Sequence, residues 1–199
     1  MARVIAQASM SVDGFVAGPG ETGFEHLFDW CVNGDVQIQP ADVERAYHVS
    51  AASADYVLDM LDGLGAIVVG RRQYDVMNGW NGRHPSGLPV FVVTHTPPAT
   101  AGPGFAFVTG GIAESVQRAR NAAGNRDVGI GPGSVVGQAL DARLVDELRV
   151  DLAPVLLGDG VRLTGPLASA PVVLGMPRVI EGKNVTHLAY PVSYQEDRP

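Results

Sequence analysis

The chain has 199 residues, 46% hydrophobic and 18% charged, and its 14 basic against 21 acidic side chains leave a formal net charge of −7. That length suits one domain over residues 1–199 with a continuous core, and the excess of acid argues against nucleic acid as a partner. A single cysteine, Cys31, excludes an intramolecular disulfide and a cysteine-based zinc cage, no apolar run approaches the roughly 20 residues of a membrane span, and the cytoplasm is the expected compartment.

In chain order, residues 3–10 are apolar with polar interruptions and read as a first strand, followed by the turn signal Asp13-Gly14. Residues 15–35 combine Gly18-Pro19-Gly20 with Phe24, Leu27, Phe28 and Trp30, a loop leading into a short aromatic helix whose rings belong to the core by composition. Residues 34–50 have weak periodicity and read as loop with one helical turn. Tyr56, Val57, Met60, Leu61 and Leu64 then recur at helical spacing, with Ser53 as N-cap and Gly63 and Gly65 as the stop. Residues 66–70 form an uninterrupted apolar strand suited to the centre of a sheet, and a helix begins at Arg71.

The theme repeats at residues 90–93, which end at Thr94-His95-Thr96, and again at residues 105–108, followed by a helix carrying Ile112, Val116, Ala119 and Ala123. Residues 127–131 and a helix from Ser134 complete an alternation that implies a mostly parallel sheet with right-handed crossovers. Beyond Leu148, residues 149–157, 161–163, 172–174 and 185–192 read as strands without helices, adding antiparallel pairs at one sheet edge.

Polar or glycine clusters sit where three of these strands run out: Gly70-Arg71-Arg72, Thr94-His95-Thr96 and Gly131-Pro132-Gly133-Ser134. Ligands of open α/β sheets bind at the carboxyl ends of strands, so the three clusters should face one crevice. Glycine turns admit a ligand to the backbone, and the first N–H groups of a helix attract anions. Arginine adds a fork matched to phosphate. Separated phosphates point to a dinucleotide; the competing reading of the glycine turn is a bare strand-to-helix connection. A Rossmann domain is excluded, because Gly131-x-Gly133 is followed at the third position by Val136 rather than glycine and lies far from the first strand. The five histidines have no metal-ligand spacing, so no metal site is assigned.

These residues also carry a family resemblance. Ala8-Ser9-Met10-Ser11-Val12-Asp13-Gly14-Phe15, Val68-Val69-Gly70-Arg71-Arg72-Gln73-Tyr74-Asp75 and Val93-Thr94-His95 resemble the dihydrofolate-reductase-like family, as does Val145-Asp146-Glu147-Leu148 with Pro154-Val155-Leu156-Leu157-Gly158. More narrowly, the chain is similar to stand-alone relatives of the reductase domain of bacterial riboflavin-biosynthesis deaminase-reductases. The resemblance implies a three-layer α/β/α fold with a mostly parallel mixed sheet and antiparallel C-terminal strands. It implies NADPH as hydride donor, a small heterocyclic substrate of pterin, folate or ribosylaminopyrimidine type, and a homodimer.

Carried over by position, the resemblance places Gly70, Arg71, Arg72 and Gln73 near the 2′-phosphate and pyrophosphate, with Thr94 and His95 as a second 2′-phosphate contact. Gly131, Pro132, Gly133, Ser134, Val135 and Val136 become the turn under the pyrophosphate and nicotinamide ribose. Asp13 and Gly14 become the loop over nicotinamide and substrate, with Asp13 the candidate proton donor or, equally, a turn residue. Trp80 is expected at a pocket mouth on the substrate side. Gln73 stands where the family commonly has threonine. Gly131-Pro132 stands where it has a cis Gly-Gly pair, so a cis bond is expected at Pro132, against a trans proline merely opening the helix. A non-catalytic nucleotide-binding or structural dimer is the alternative function on the same fold.

Overall fold

A computed structural model describes residues 2–39, 46–100 and 102–194. The chain opens with β1 (Val4–Ser11) and β2 (Phe15–Ala17), then α1 (Phe24–Leu27), a 3₁₀ turn at Asp29–Cys31 and a small hairpin of β3 (Val36–Ile38) and β4 (Tyr47–Val49). It continues through α2 (Ala51–Gly63), β5 (Leu64–Gly70), α3 (Arg71–Val76), β6 (Val90–Val93) and β7 (Phe105–Val108). Next come α4 (Gly111–Ala123), β8 (Asp127–Ile130), α5 (Ser134–Asp141) and β9 (Glu147–Ala153). The C-terminal part is strand only: β10 (Val161–Arg162), β11 (Val173–Leu174), β12 (Arg178–Gly182) and β13 (Val185–Ser193).

The main sheet runs β11-β13-β9-β1-β8-β5-β6-β7, with β12 also on the outer edge of β13. Strands β9, β1, β8, β5, β6 and β7 are parallel to their neighbours, whereas β13 is antiparallel to β9 and to both β11 and β12. This is the three-layer α/β/α arrangement with antiparallel C-terminal strands that the sequence predicts.

Register sorts the side chains into two faces. Ile5 lies beside Gly129 and Gly129 beside Ile67, while Ser9 lies beside Asp151 and Asp151 beside His187. Because side chains alternate along a strand, Gln7, Val69, Val92 and Phe107 share that face. Helices α2 and α3 cover its two ends: Tyr56 of α2 reaches Asp151, and Tyr74 of α3 packs edge-on against Phe105 and Phe107. The opposite face is closed by α4 and α5, whose Val116, Ala119, Val135, Val136 and Ala139 pack on Val4, Ala6, Val68, Val128 and Ile130. Each such buried aliphatic contributes about 1.5–3 kcal/mol for larger side chains, and this layer anchors the sheet. On the first face the gap between α2 and α3, above β1, β8 and β5, stays open.

Local outcomes differ from the sequence reading at several places. Helix α2 begins at Ala51, with Ser50 in the extended N-cap conformation, and Ser53 lies inside it with its hydroxyl turned to His187. Strand β9 stops at Ala153 because Pro154 has no N–H to continue a ladder. The stretch expected as loop with a helical turn contains β3 and β4, too short at three residues each to show period-two patterning; residues 40–45 between them lie outside the described residues. Strand β12, an outer strand with Arg178 and Val179 exposed, has no apolar run to announce it.

Candidate active site

The open gap is a cleft of about 2600 Å³. Ordinary small-molecule pockets hold roughly 300–1,000 Å³, so a dinucleotide and a second ligand both have room. Leu58, Met60 and Leu61 of α2 form one wall, Gln73 and Val76 of α3 with Met77 just beyond it the other, and Gln7, Ile67 and Gly129 the floor.

At one end of the cleft the carboxyl termini of β5, β6 and β8 bring together Gly70, Arg71, Arg72, Gln73, Thr94, His95 and residues 131–135. The end of β7 joins them through Thr109 and Gly111, a fourth strand end overlooked in the sequence although it runs out in the same way, at Thr109-Gly110-Gly111. Val136 is not part of this lining; it is fully buried in the core under α5.

The glycine turn works differently from expectation. The described residues contain one cis peptide, Ala170–Pro171, so Gly131–Pro132 is trans. The reversal is made one residue later, at Gly133 with φ 96°, a conformation that glycine adopts without a Cβ penalty. Gly131 N–H donates to Val68 O and Gly133 N–H to Leu163 O at 2.8 Å. Pro132 has no N–H. Gly133 is therefore not an available donor, and the first-turn amides of Ser134 and Val135 take that role. The Gln73 side-chain Oε1 is buried without a hydrogen-bond partner and faces Gly131, where an added Cβ would approach it to 2.3 Å.

The arginines are held in place by their neighbours. Arg71 Nε donates to both Asp75 carboxylate oxygens at 2.8 and 2.9 Å and Arg71 Nη1 to Thr96 O, so its guanidinium is fixed between the ends of β5 and β6. Arg72 Nε donates to Glu21 Oε1 at 2.7 Å, and the side chain is otherwise solvated. Thr94 Oγ1 accepts from Thr96 N–H and donates to Thr96 O, closing the turn on which exposed His95 stands.

Trp80 belongs to this same end. Residues 78–81 form a left-handed turn with φ between 46° and 55° that lays the Trp80 ring parallel to Phe105 at 6.0 Å, with Tyr74 and His84 edge-on. Phe105 is on β7, four strands from β1, about 19 Å at the usual strand spacing. Trp80 lines the cleft as expected, at the end away from β1. Burial against this ring pulls the His84 imidazole down to about 4, and its Nδ1 accepts the Ser86 N–H at 3.2 Å.

The other end of the cleft holds residues that motif reading missed. Asp151 is 3% exposed. Its Oδ1 accepts from Tyr56 hydroxyl at 2.7 Å and lies 2.7 Å from His187 Nδ1, and its Oδ2 faces Gln7 Nε2 at 3.4 Å. Trp30 Nε1 donates to Ser9 Oγ at 3.0 Å, and Gln7 Nε2 also donates to the Tyr56 hydroxyl at 3.1 Å. Burial pushes the Tyr56 phenol well above its ordinary range, which keeps it a donor. The available signal was an aspartate inside the apolar strand Glu147–Ala153, since a carboxylate buried there needs partners.

Asp13 and Gly14 do not line the cleft. The Asp13 carboxylate accepts from Ser11 hydroxyl at 2.6 Å and from the Leu157 and Gly158 amides at 3.1 and 2.7 Å. These bonds, the Ser11 hydroxyl first, hold it below the usual carboxylate range. This clamp ties two loops together outside the cleft, so Asp13 stands here as a turn residue, the second of the two roles expected of it.

A family model for the RibD C-terminal domain matches residues 2–190. The chain belongs to that family. Among solved structures, a protein named for riboflavin biosynthesis from Shewanella sp. PV-4 superimposes with TM-score 0.67 at 23% identity, covering 98% of this chain and all of that one. A deaminase and 5-amino-6-(5-phosphoribosylamino)uracil reductase from Thermotoga maritima gives 0.61 at 16% identity, covering 96% of this chain and 57% of that one. Dihydrofolate reductase from Enterococcus faecalis, complexed with NADP(H), gives 0.53 at 16% identity and covers 96% and 97%. A search of curated proteins finds no match. The RibD C-terminal domain fold is therefore the dihydrofolate-reductase-like fold read from the sequence, and no helix among its described residues is long and apolar enough to cross a membrane.

Within this fold the residues at the strand ends fit a phosphorylated dinucleotide. The Ser134 and Val135 amides, the fixed Arg71 guanidinium and the turn at Gly133, with open space where a side chain would stand, form a donor set for phosphate. The partnerless Gln73 Oε1 supplies an acceptor for a hydroxyl or amide of the same ligand.

Proposed function

We propose that the protein is an NADPH-dependent reductase acting on a C=N or C=O bond of a small heterocycle of pterin, folate or ribosylaminopyrimidine type. The observation that carries the reading is one cleft with phosphate donors at its first end and a buried carboxylate at its second. Arg71 with Thr94 and His95 would hold the 2′-phosphate, and Ser134 and Val135 the pyrophosphate. The nicotinamide supplies the hydride when bound; the protein orients the partners, and α2 and the sheet floor exclude water. Leu58, Leu61 and Trp30 line the same cleft as Gln7 and Asp151 and would offer apolar surface to a ring. Titration of NADPH and NADH against protein fluorescence, then turnover with pterin, folate and ribosylaminouracil-type compounds, tests this. Tight NADPH binding with no turnover on any compound would favour a non-catalytic nucleotide-binding dimer.

The cytoplasm is the proposed compartment and a homodimer the proposed assembly. The sheet edge beyond β13 exposes Val179 of β12 at 52%, Leu174 of β11 at 36% and, in the connection between them, Met176 at 93%, an apolar rim that a second copy would cover. Light scattering at micromolar concentration should give twice the 20.9 kDa chain mass, and a monomer mass would overturn the assembly.

A further inference from the structure

The polar row under α2 continues beyond Asp151, away from the cleft. His187 Nε2 is 3.0 Å from Ser53 Oγ, and Ser53 Oγ is 3.0 Å from Ser50 Oγ. Ser53 and His187 are each 1% exposed, whereas Ser50, at the start of α2, is only half-buried. The Tyr56 ring stacks on His187 at 4.1 Å and Trp30 meets it edge-on at 5.0 Å, while the Lys183 N–H donates to Ser50 Oγ at 3.3 Å at the outer end of the row. A hydrogen-bonded path thus joins solvent at the head of α2 to a carboxylate in the cleft.

We propose that Ser50, Ser53, His187 and Asp151 are a proton relay feeding the substrate end of the cleft. The proposal rests on the reductase reading, which requires one proton for each hydride accepted. As a nicotinamide donor gives two electrons and its hydrogen to the substrate carbon, the π pair of the C=N or C=O bond moves to the heteroatom. That atom takes the proton from Asp151 Oδ2. Asp151 is restored at Oδ1 from His187 Nδ1 and a turn of the carboxyl brings that proton to Oδ2; His187 is restored at Nε2 from the Ser53 hydroxyl and Ser53 from Ser50 and water, after which a ring flip of His187 resets its tautomer. Asp151 is the catalytic residue of this set; the other three act through it. Tyr56 of α2 and Tyr47 of β4 are the further titratable groups that feel the Asp151 charge, with Cys31 acting on Tyr47 and Arg149 of β9 and Arg178 of β12 acting on Tyr56.

A buried network with a purely structural role would make the same contacts, so the test follows proton movement. In the ligand-free protein, nitrogen-15 NMR measures exchange of the His187 imidazole protons with water. Ser53→Ala should slow that exchange at least ten-fold and Ser53→Thr, which keeps a hydroxyl, should restore it. Ser50→Ala, at the half-exposed cap, should slow it without disturbing the core should Ser53→Ala fail to fold. Exchange unchanged in both alanine variants would overturn the relay. On an accepted substrate, Ser53→Ala should lower kcat at least ten-fold with KM unchanged, and small acids in the buffer should recover rate; an unchanged kcat would also overturn it. Failure of the wild type to bind NADPH would instead sink the reductase reading, while the exchange measurement still decides the path.

Discussion

Replacing Arg71 with alanine should weaken NADPH binding by about 1.5 to 3 kcal/mol, roughly 10- to 150-fold, the range for hydrogen bonds to a charged group. NADH affinity should change less than about two-fold, because a cofactor without the 2′-phosphate gives the guanidinium nothing to grip. Arg71 is suited to such discrimination since Asp75 and Thr96 O already fix its position, so little side-chain entropy is left to lose on binding. The measurement is a pair of fluorescence titrations at one ionic strength. Equal losses for the two cofactors would mean that Arg71 supports the turn and does not read the phosphate.

The second large effect concerns acid. His84 is held neutral, down to about 4, by enclosure against Trp80. Between the ordinary value near 6.5 and about 4, the unfolded chain takes up a proton that the folded one refuses, so stability falls as the pH drops through that window. The loss should amount to on the order of 2 to 3 kcal/mol and level off below about pH 4, while above about pH 7 His84 contributes no slope. Urea denaturation at pH 7.5, 5.5 and 4.5, compared with His84→Gln, isolates it. The variant should lose this part of the acid slope, and parallel slopes would assign the sensitivity elsewhere.

The sequence exposed the centre of the fold well and its margins poorly. Strands β5, β6 and β8 are buried on both faces, so their apolar runs are continuous and legible, and the clusters at Gly70, Thr94 and Gly131 follow directly from where those runs end. The end of the cleft around Asp151 resisted reading because its parts meet only through register. Gln7 and Asp151 are 144 positions apart, and Asp151 and His187 are 36 apart. No local spacing connects them. Trp80 is placed by a run of left-handed backbone at Asn78, Gly79 and Asn81 that composition marks only as loop. Pro132 illustrates a different limit: the resemblance predicted a geometry for the peptide bond, but the chain makes its reversal at Gly133.

The bond from Gly133 N–H to Leu163 O has a thermodynamic consequence. Leu163 belongs to the segment between Gly158 and Pro166, whose first amide is held by Asp13 beside β2 and whose later part lies against α5, with Gly165 near Ser134 and Thr164 O close to Gly137. One short length of backbone therefore touches both the turn under the proposed cofactor and the loop at the head of β1. With the Gly133 amide bonded to Leu163, this segment holds the turn from which the Ser134 and Val135 amides project, and its other end is held by the Asp13 clamp. By linkage, a ligand that shifts the turn at Gly133 would change the stability of the Asp13 clamp, and a change at the clamp would alter that ligand's affinity in equal measure. The turn at the first end of the cleft and the loop at the head of β1 are thus joined by one length of backbone outside the cleft itself.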